Sequence, residues 1–202
     1  MDQVAYKAVY TPAEAAALCR MSGEDFQSKL RAGDVDFFGI PGGHLRFRQP
    51  VLASYLERLR IPLPGTWTGA PRNFRVLLVE DDPDLLEIIS ELLRDEPRID
   101  VRAEDSGFTA GLQIAGWHPD LILLDFLMPG MSGFDLCRRL RSRPDTADIP
   151  VLAVTSLTSV EDRKVISECG ASDFLGKPFH SETLLLKVRQ LLGIEDSASL
   201  SA

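Results

Sequence analysis

Residues 121–125 read Leu121-Ile122-Leu123-Leu124-Asp125, four apolar side chains closed by a single acid. Short apolar runs bounded by turn signals read as strands buried in a parallel sheet. Outward from this run, three others repeat the arrangement. Val76-Leu77-Leu78-Val79 runs into Glu80-Asp81-Asp82, Val151-Leu152-Ala153-Val154 ends at Thr155, and Phe174-Leu175-Gly176 leads to Lys177-Pro178. In parallel α/β sheets, ligand chemistry gathers outside the carboxyl ends of the strands. Acids, a lone Asp, a hydroxyl and an amine therefore converge on one sheet edge. That set suits metal-assisted phosphoryl transfer with Asp125 as the nucleophile.

Charge arithmetic names the metal. Glu80, Asp81 and Asp125 as ionised neighbours repel one another, and protonation or a cation must relieve them. A divalent ion and Lys177 together bring the cluster to neutrality. Oxygen-only ligands select a hard ion, and Mg²⁺ takes one or two carboxylates, retained waters and phosphate oxygens. A carboxylate is a competent nucleophile for an aspartyl-phosphate, and positioning and charge stabilisation dominate such transfers. Asp82 and Asp84 read as first-turn acids that complement a helix dipole. His44, His118 and His180 are too dispersed for a zinc or catalytic cluster.

Between the runs lie helical patterns. The predicted order is strand 74–79, helix 83–94, strand 98–103, helix 106–115, strand 120–125, helix 132–143, strand 150–155, helix 158–169, strand 172–175 and helix 180–193. Strict alternation argues for a doubly wound parallel sheet, and about 120 residues bury a sufficient core.

These residues resemble the CheY-like receiver domain of two-component response regulators. The resemblance is carried by Val79-Glu80-Asp81-Asp82-Pro83, by Leu124-Asp125-Phe126-Leu127-Met128-Pro129-Gly130-Met131-Ser132-Gly133, by Val154-Thr155-Ser156 and by Gly170 to Phe179. It implies a flavodoxin-like, five-stranded parallel α/β receiver over residues 73–195, with 196–202 as a flexible tail. It also implies that Asp125 is the phospho-acceptor and that Glu80, Asp81, Asp125 and the Leu127 backbone carbonyl hold Mg²⁺. Thr155 and Lys177 would contact the phosphoryl group, Leu127 and Leu157 would flank it, and Thr155 and Phe174 would form the switch. Lys177-Pro178 is expected to be cis. The implied partners are a histidine kinase or phosphotransfer protein, and a second copy through the 158–193 surface. Such a domain is no enzyme toward outside substrates; it catalyses only its own phosphorylation and dephosphorylation. Haloacid-dehalogenase-type phosphatases also use an aspartyl nucleophile, but as Asp-x-Asp, and here Leu127 occupies the general-acid position.

The first sixty residues follow another plan. Thr11-Pro12-Ala13-Glu14 is a capping box with Pro at the first helical position. Its helix runs to about Arg20; Ser22 caps a second helix, with Phe26 and Leu30 on one face, which Gly33 stops. Val35–Ile40 and a strand from His44 flank a hairpin turn, Pro41-Gly42-Gly43. A period of two places Leu45 and Phe47 on one face and His44, Arg46 and Arg48 on the other. A last helix runs from Pro50 to Arg60, with Leu52, Leu56 and Leu59 inward. This stretch resembles the excisionase-type, MerR-like winged helix-turn-helix family, on Thr11 to Ala16, Leu18, Met21-Ser22, Phe26, Leu30, Gly33, Gly43 to Phe47 and Tyr55-Leu56. That implies an output domain over residues 1–60 that binds DNA through Gln27, Ser28, Arg31, His44, Arg46 and Arg48. Lys7, Arg20 and Lys29 add positive charge.

Charge complicates that expectation. The chain's net −8 divides unevenly: residues 1–64 carry eight Lys/Arg against seven acids, a balance of +1, and the rest carry fourteen against twenty-three, −9. A balance of +1 is weak for a DNA binder, and Glu24 and Asp25 repel phosphate. A protein-binding adaptor therefore stands as the alternative. Between the two parts, residues 61–72 hold three Pro and two Gly and read as a semi-stiff linker in which Trp67 docks on one domain. No signal peptide or membrane-spanning run is present, and Cys19, Cys137 and Cys169 are odd in number and far apart. These features predict a cytoplasmic protein with small buried thiols and no disulfide framework.

Overall fold

The computed structural model describes residues 9–40, 44–64, 67 and 73–194. The chain divides into two compact units, Met1–Arg72 and Asn73–Ala202.

In the first unit, β1 (Val9–Tyr10) leads into α1 (Pro12–Leu18), α2 (Gly23–Arg31), β2 (Phe38–Ile40), β3 (His44–Arg48) and α3 (Gln49–Arg58). The capping box forms: Thr11 N–H donates to Glu14 Oε2 at 2.9 Å and Glu14 N–H to Thr11 Oγ1 at 3.3 Å. Ser22 caps α2 by accepting from Asp25 N–H. The central strand of a small antiparallel sheet, β3 pairs with both β1 and β2. Two-residue β1 was not foreseen, because so short a run shows no alternation. The predicted turn Pro41-Gly42-Gly43 lies outside the described residues, as does Lys7; the flanking strands pair Ile40 with His44. The core gathers Tyr10, Phe26, Phe47, Leu52 and Leu56, with the Phe26 and Phe47 rings edge-to-face at 5.3 Å. Trp67 joins it, 5.2 Å from the Tyr10 ring, and Ile61 and Leu63 pack alongside. The packed part of this unit thus reaches well beyond residue 60.

In the second unit, β4 (Phe74–Val79), β5 (Ile99–Glu104), β6 (Leu121–Asp125), β7 (Val151–Thr155) and β8 (Asp173–Gly176) alternate with α4 (Pro83–Arg94), α5 (Gly107–Trp117), α6 (Gly133–Arg141), α7 (Val160–Glu168) and α8 (Ser181–Leu192). All strand pairs are parallel, in the order β5-β4-β6-β7-β8. This is the five-stranded, doubly wound α/β fold. Each boundary lies within two residues of its predicted place. Strands β4, β6 and β7 are apolar on both faces because both are covered. Leu77, Val79, Ile122, Leu124, Val151 and Ala153 pack toward α5, α6 and α7. Their alternate neighbours, including Val76, Leu78, Leu123 and Val154, are equally buried and face the α4 and α8 side. The chain order reverses between β4 and β6, which opens a crevice at their carboxyl ends.

All three cysteines are buried and unbridged. Among the described residues, no helix is long and apolar enough to cross a membrane.

Candidate functional site

The register of the sheet assembles the acidic cluster. Val79 pairs with Leu124, so β4 and β6 end side by side, delivering Glu80 and Asp81 from one and Asp125 from the other. Each of the three carboxylates offers an oxygen within 4.8 Å of the others. Glu80 and Asp125 are buried, whereas Asp81 is exposed. Asp82, just beyond, caps α4 by accepting from Asp84 N–H and Leu85 N–H, so its side chain serves the helix.

Lys177 crosses from the end of β8 and bridges the two buried acids. Its Nζ donates to Asp125 Oδ2 at 2.6 Å and to Glu80 Oε2 at 2.7 Å. The cis peptide Lys177-Pro178 follows, as anticipated, and Lys177 N–H donates to the Thr155 carbonyl at 2.8 Å. Thr155 is fully buried at the end of β7; its Oγ1 accepts from Leu157 N–H at 3.3 Å, which leaves the hydroxyl proton to be donated. The other oxygen of Asp125, Oδ1, accepts from Leu127 N–H at 2.8 Å.

Electrostatics follow from this packing. Burial raises the Glu80 carboxyl above its usual value; the charge of Asp125 adds to the rise, and the hydrogen bond from Lys177 opposes it. Burial lowers Lys177, but its hydrogen bonds to Asp125 and Glu80 outweigh that and hold it above its usual value. One lysine therefore leaves the cluster short of positive charge. The donor set is oxygen only, so the residues present fit a hard divalent ion such as Mg²⁺.

One essential position had been given no role by sequence reasoning. A Cβ on Gly133 would lie 2.3 Å from the Asp125 carbonyl oxygen and 2.6 Å from Phe126 Cα, so only glycine lets α6 start this close to β6. A glycine just after a capping serine was the available signal. Phe174 is half-buried against the core, with the Arg163 guanidinium 4.9 Å from its ring centroid, a contact that spacing alone does not reveal. Leu127 is half-exposed beside Asp125, and Leu157 is partly buried, packed against the core.

In the first unit, Gln27, Ser28 and Arg31 are exposed on α2 and His44 is exposed on β3. Arg46 corrects the expected wing. It is 4% exposed, and its Nη1 donates to the Leu45 carbonyl at 2.9 Å. Strand periodicity assigned it to an open face, but Arg46 lies opposite Phe38 in the register, which stands the two side chains beside each other on one face. The Arg48 guanidinium stacks on the Phe38 ring at 4.9 Å. The three basic side chains do not form one open surface.

Comparison with known proteins bears on the second unit. The family model of the response regulator receiver domain matches residues 76–189. Over 118 residues the chain is 39% identical to the DNA-binding dual master transcriptional regulator RpaA of Synechocystis, covering 58% of this chain and 48% of that protein. The chain spans about half the length of the curated relatives it matches. Among solved structures, a putative response regulator from Chloroflexus aurantiacus superposes with a TM-score of 0.58 at 34% identity, covering 60% of this chain and 99% of that one. The receiver domain of the sensor histidine kinase PA1611 from Pseudomonas aeruginosa, solved with a magnesium ion coordinated in its active-site cleft, gives 0.56 at 27% identity, covering 60% and 98%.

Proposed function

The chain belongs to the response regulator receiver family, and on that premise we propose that Asp125 accepts a phosphoryl group that controls the first unit. The observation that carries this reading is the pair of hydrogen bonds from Lys177 to Asp125 and Glu80 at the shared end of four strands. Glu80, Asp81, Asp125 and the Leu127 carbonyl would hold Mg²⁺. When bound, the ion supplies positive charge to the phosphoryl oxygens.

The residues themselves do the following. Leu127 N–H fixes Asp125 Oδ1, which orients the carboxylate. An Asp125 oxygen attacks phosphorus, and the bond from phosphorus to the donor breaks, with the electron pair leaving on the donor. Lys177 stays beside the new aspartyl-phosphate and neutralises part of its charge. Thr155 donates its hydroxyl proton to a phosphoryl oxygen, a charge-assisted bond. Phe174 follows Thr155 and reshapes the 158–193 surface, through which a second copy binds. The donor is a histidine kinase or phosphotransfer protein, and the setting is the cytoplasm. Leu127 supplies no general acid, so outside substrates are not turned over.

In this reading the winged helix-turn-helix output domain extends past residue 60 to take in Ile61, Leu63 and Trp67, and 73–195 is the receiver; residues 65–66 and 68–72 of the expected linker and the expected tail, 196–202, lie outside the described residues. The first unit binds DNA, with Gln27, Ser28 and Arg31 of α2 at base edges and His44 and Arg48 at the backbone. The exposed polar face of α2 between its capped ends supports this. Burial of Arg46 favours a second reading, an adaptor whose first unit binds a protein. A DNA-binding selection on the full chain, with and without beryllofluoride and Mg²⁺, separates the two. Phosphorylation by a small phosphodonor with Mg²⁺ tests the acceptor: Asp125→Asn should abolish labelling, and label retained in that variant would refute the assignment.

A further inference from the structure

Helix α5 is the surface feature that phosphoryl transfer does not use. None of its eleven residues, Gly107 to Trp117, carries a charge. Large apolar side chains on a helix normally face an interior, yet Phe108 is 68% and Leu112 65% exposed, one turn apart. Beside them a groove of about 250 Å³ runs between α5 and α6, floored by Ile114, Met131, Leu136 and Leu140. At Gly111 the groove has room for a side chain, since a Cβ there would meet nothing within 4 Å. Its far rim carries Arg139 and Arg143; Asp145 pairs with Arg143 at 2.8 Å, so Arg139 supplies the net positive charge there, in a half of the chain whose net charge is −9.

We propose that this groove receives helix α4 of a second copy of the chain, in a head-to-tail contact. The occupant must present an apolar ridge flanked by acids, and α4 does so. Leu85, Ile88 and Leu92 follow the three- and four-residue spacing of one helical face, Ile88 is 55% exposed, and Asp84, Glu87 and Glu91 surround it. The other helices with exposed apolar side chains offer mixed charge: α7 sets Val160 beside Glu161, Arg163 and Lys164, and α8 sets Leu186 among Glu182, Lys187 and Arg189. Acid-flanked α4 against an arginine rim is complementary in charge, whereas most other approaches between two such acidic units are repulsive.

Geometry makes the contact open-ended. Helices α5 and α6 cover one face of the sheet, and α4 lies beside α8 on the other. Ridge and groove of one copy cannot meet each other, so each copy that docks leaves a free groove and a free ridge. A heterologous contact of this kind builds a chain of subunits and not a closed pair. One helix in one groove is a small interface, so the dissociation constant should fall around 0.1–1 mM.

The test is sedimentation equilibrium on the full chain, without phosphodonor, up to about 1 mM. The average mass should rise past that of a dimer without a plateau. Gly111→Leu, which fills the groove with a better helix former, should weaken association about tenfold or more. Arg139→Glu alone and Glu87→Lys with Glu91→Lys alone should each do the same. An equimolar mixture of these two charge variants should recover association, because each then meets the opposite charge. The proposal is overturned by a wild type that stays monomeric throughout or that stops at a dimer. It also fails if association ignores the α4 charges, which would mean symmetric α5 pairing, if it ignores Gly111→Leu, or if the mixture associates no better than its components.

Discussion

Glu80 sets the acid response of the cluster. Its carboxyl lies above the ordinary 4.5, first because it is buried, then because of Asp125, with Lys177 opposing. A group raised on folding stabilises the fold below its unfolded value and loses that contribution as pH rises through the folded one. Ion-free wild type should therefore lose stability relative to Glu80→Gln as pH climbs from 4.5 through the raised value. Mg²⁺ requires the carboxylate, so it should restore stability at neutral pH and bind less tightly as pH falls through the same window. Urea titrations across pH, with and without Mg²⁺, check both slopes; identical slopes for the two proteins would remove Glu80 from the account. In the proposed function Leu127 governs the lifetime of the phosphorylated state. Its side chain is half-exposed beside Asp125 and has no atom to orient an attacking water, so the aspartyl-phosphate should be long-lived. Leu127→Asn should speed hydrolysis by up to about tenfold, a modest share of what full base catalysis supplies. An unchanged rate in a phosphate-release assay would place water control elsewhere. Leu157 is the poorer probe, because it packs on the core.

At the scale of elements, Trp67 packs into the core of the first unit, with Ile61 and Leu63 alongside. Its ring is buried against Tyr10, while its indole N–H has no hydrogen-bond partner among the described residues. Trp67→Ala should destabilise that unit by about 3 kcal/mol, whereas Trp67→Phe, which keeps the ring, should cost less than about 1.5 kcal/mol. Thermal melts of the full chain resolve the two; equal losses would mean that the N–H matters after all. Trp67 also shows what a sequence discloses. An aromatic residue amid prolines says that it docks, but not where, because docking depends on a partner ring nearly sixty residues away. The receiver sheet was legible because both of its faces are covered, which forces continuous apolar runs on β4, β6 and β7. Its site was legible because strand ends fix where Glu80, Asp81, Asp125, Thr155 and Lys177 meet. In the first unit the same reasoning misplaced Arg46: a period of two assigns faces, but a three-stranded sheet does not guarantee that the second face is open. Gly133 carries the resemblance but received no role for a related reason, since close approach of α6 to β6 is a property of packing and leaves only a glycine in the sequence.

For the whole molecule, the proposed function requires that a phosphoryl group on Asp125 alter what the chain binds. In that function Thr155 is the first mover: its hydroxyl sits at the end of β7 and, among the described residues, its oxygen accepts from Leu157 N–H alone, so it can turn toward new negative charge. Phe174 is the second. Its ring lies against the core, near Thr158 and Gly176, and lacks the hydroxyl that would anchor a tyrosine. The Arg163 guanidinium lies over it, 4.9 Å from the ring centroid. A cation over a ring at a partly exposed site contributes about 0.5–1 kcal/mol, enough to change a two-state balance about two- to fivefold. A ligand moves such a balance only by its differential affinity for the two states, which for a phosphoryl mimic comes from Thr155 and Lys177. Beryllofluoride with Mg²⁺ should therefore shift the DNA affinity of the full chain or its pairing through the 158–193 surface. Thr155→Ala should remove most of that shift while Mg²⁺ still binds. Arg163→Ala should act oppositely, raising the apparent affinity for beryllofluoride about two- to fivefold by releasing the ring. Fluorescence-anisotropy titrations on DNA and sedimentation at saturating Mg²⁺ measure both effects. Equal affinity and equal mass with and without beryllofluoride would leave the receiver chemistry intact but uncoupled from the first unit, and an Arg163→Ala variant that binds the mimic like wild type would free Phe174 from its proposed clamp.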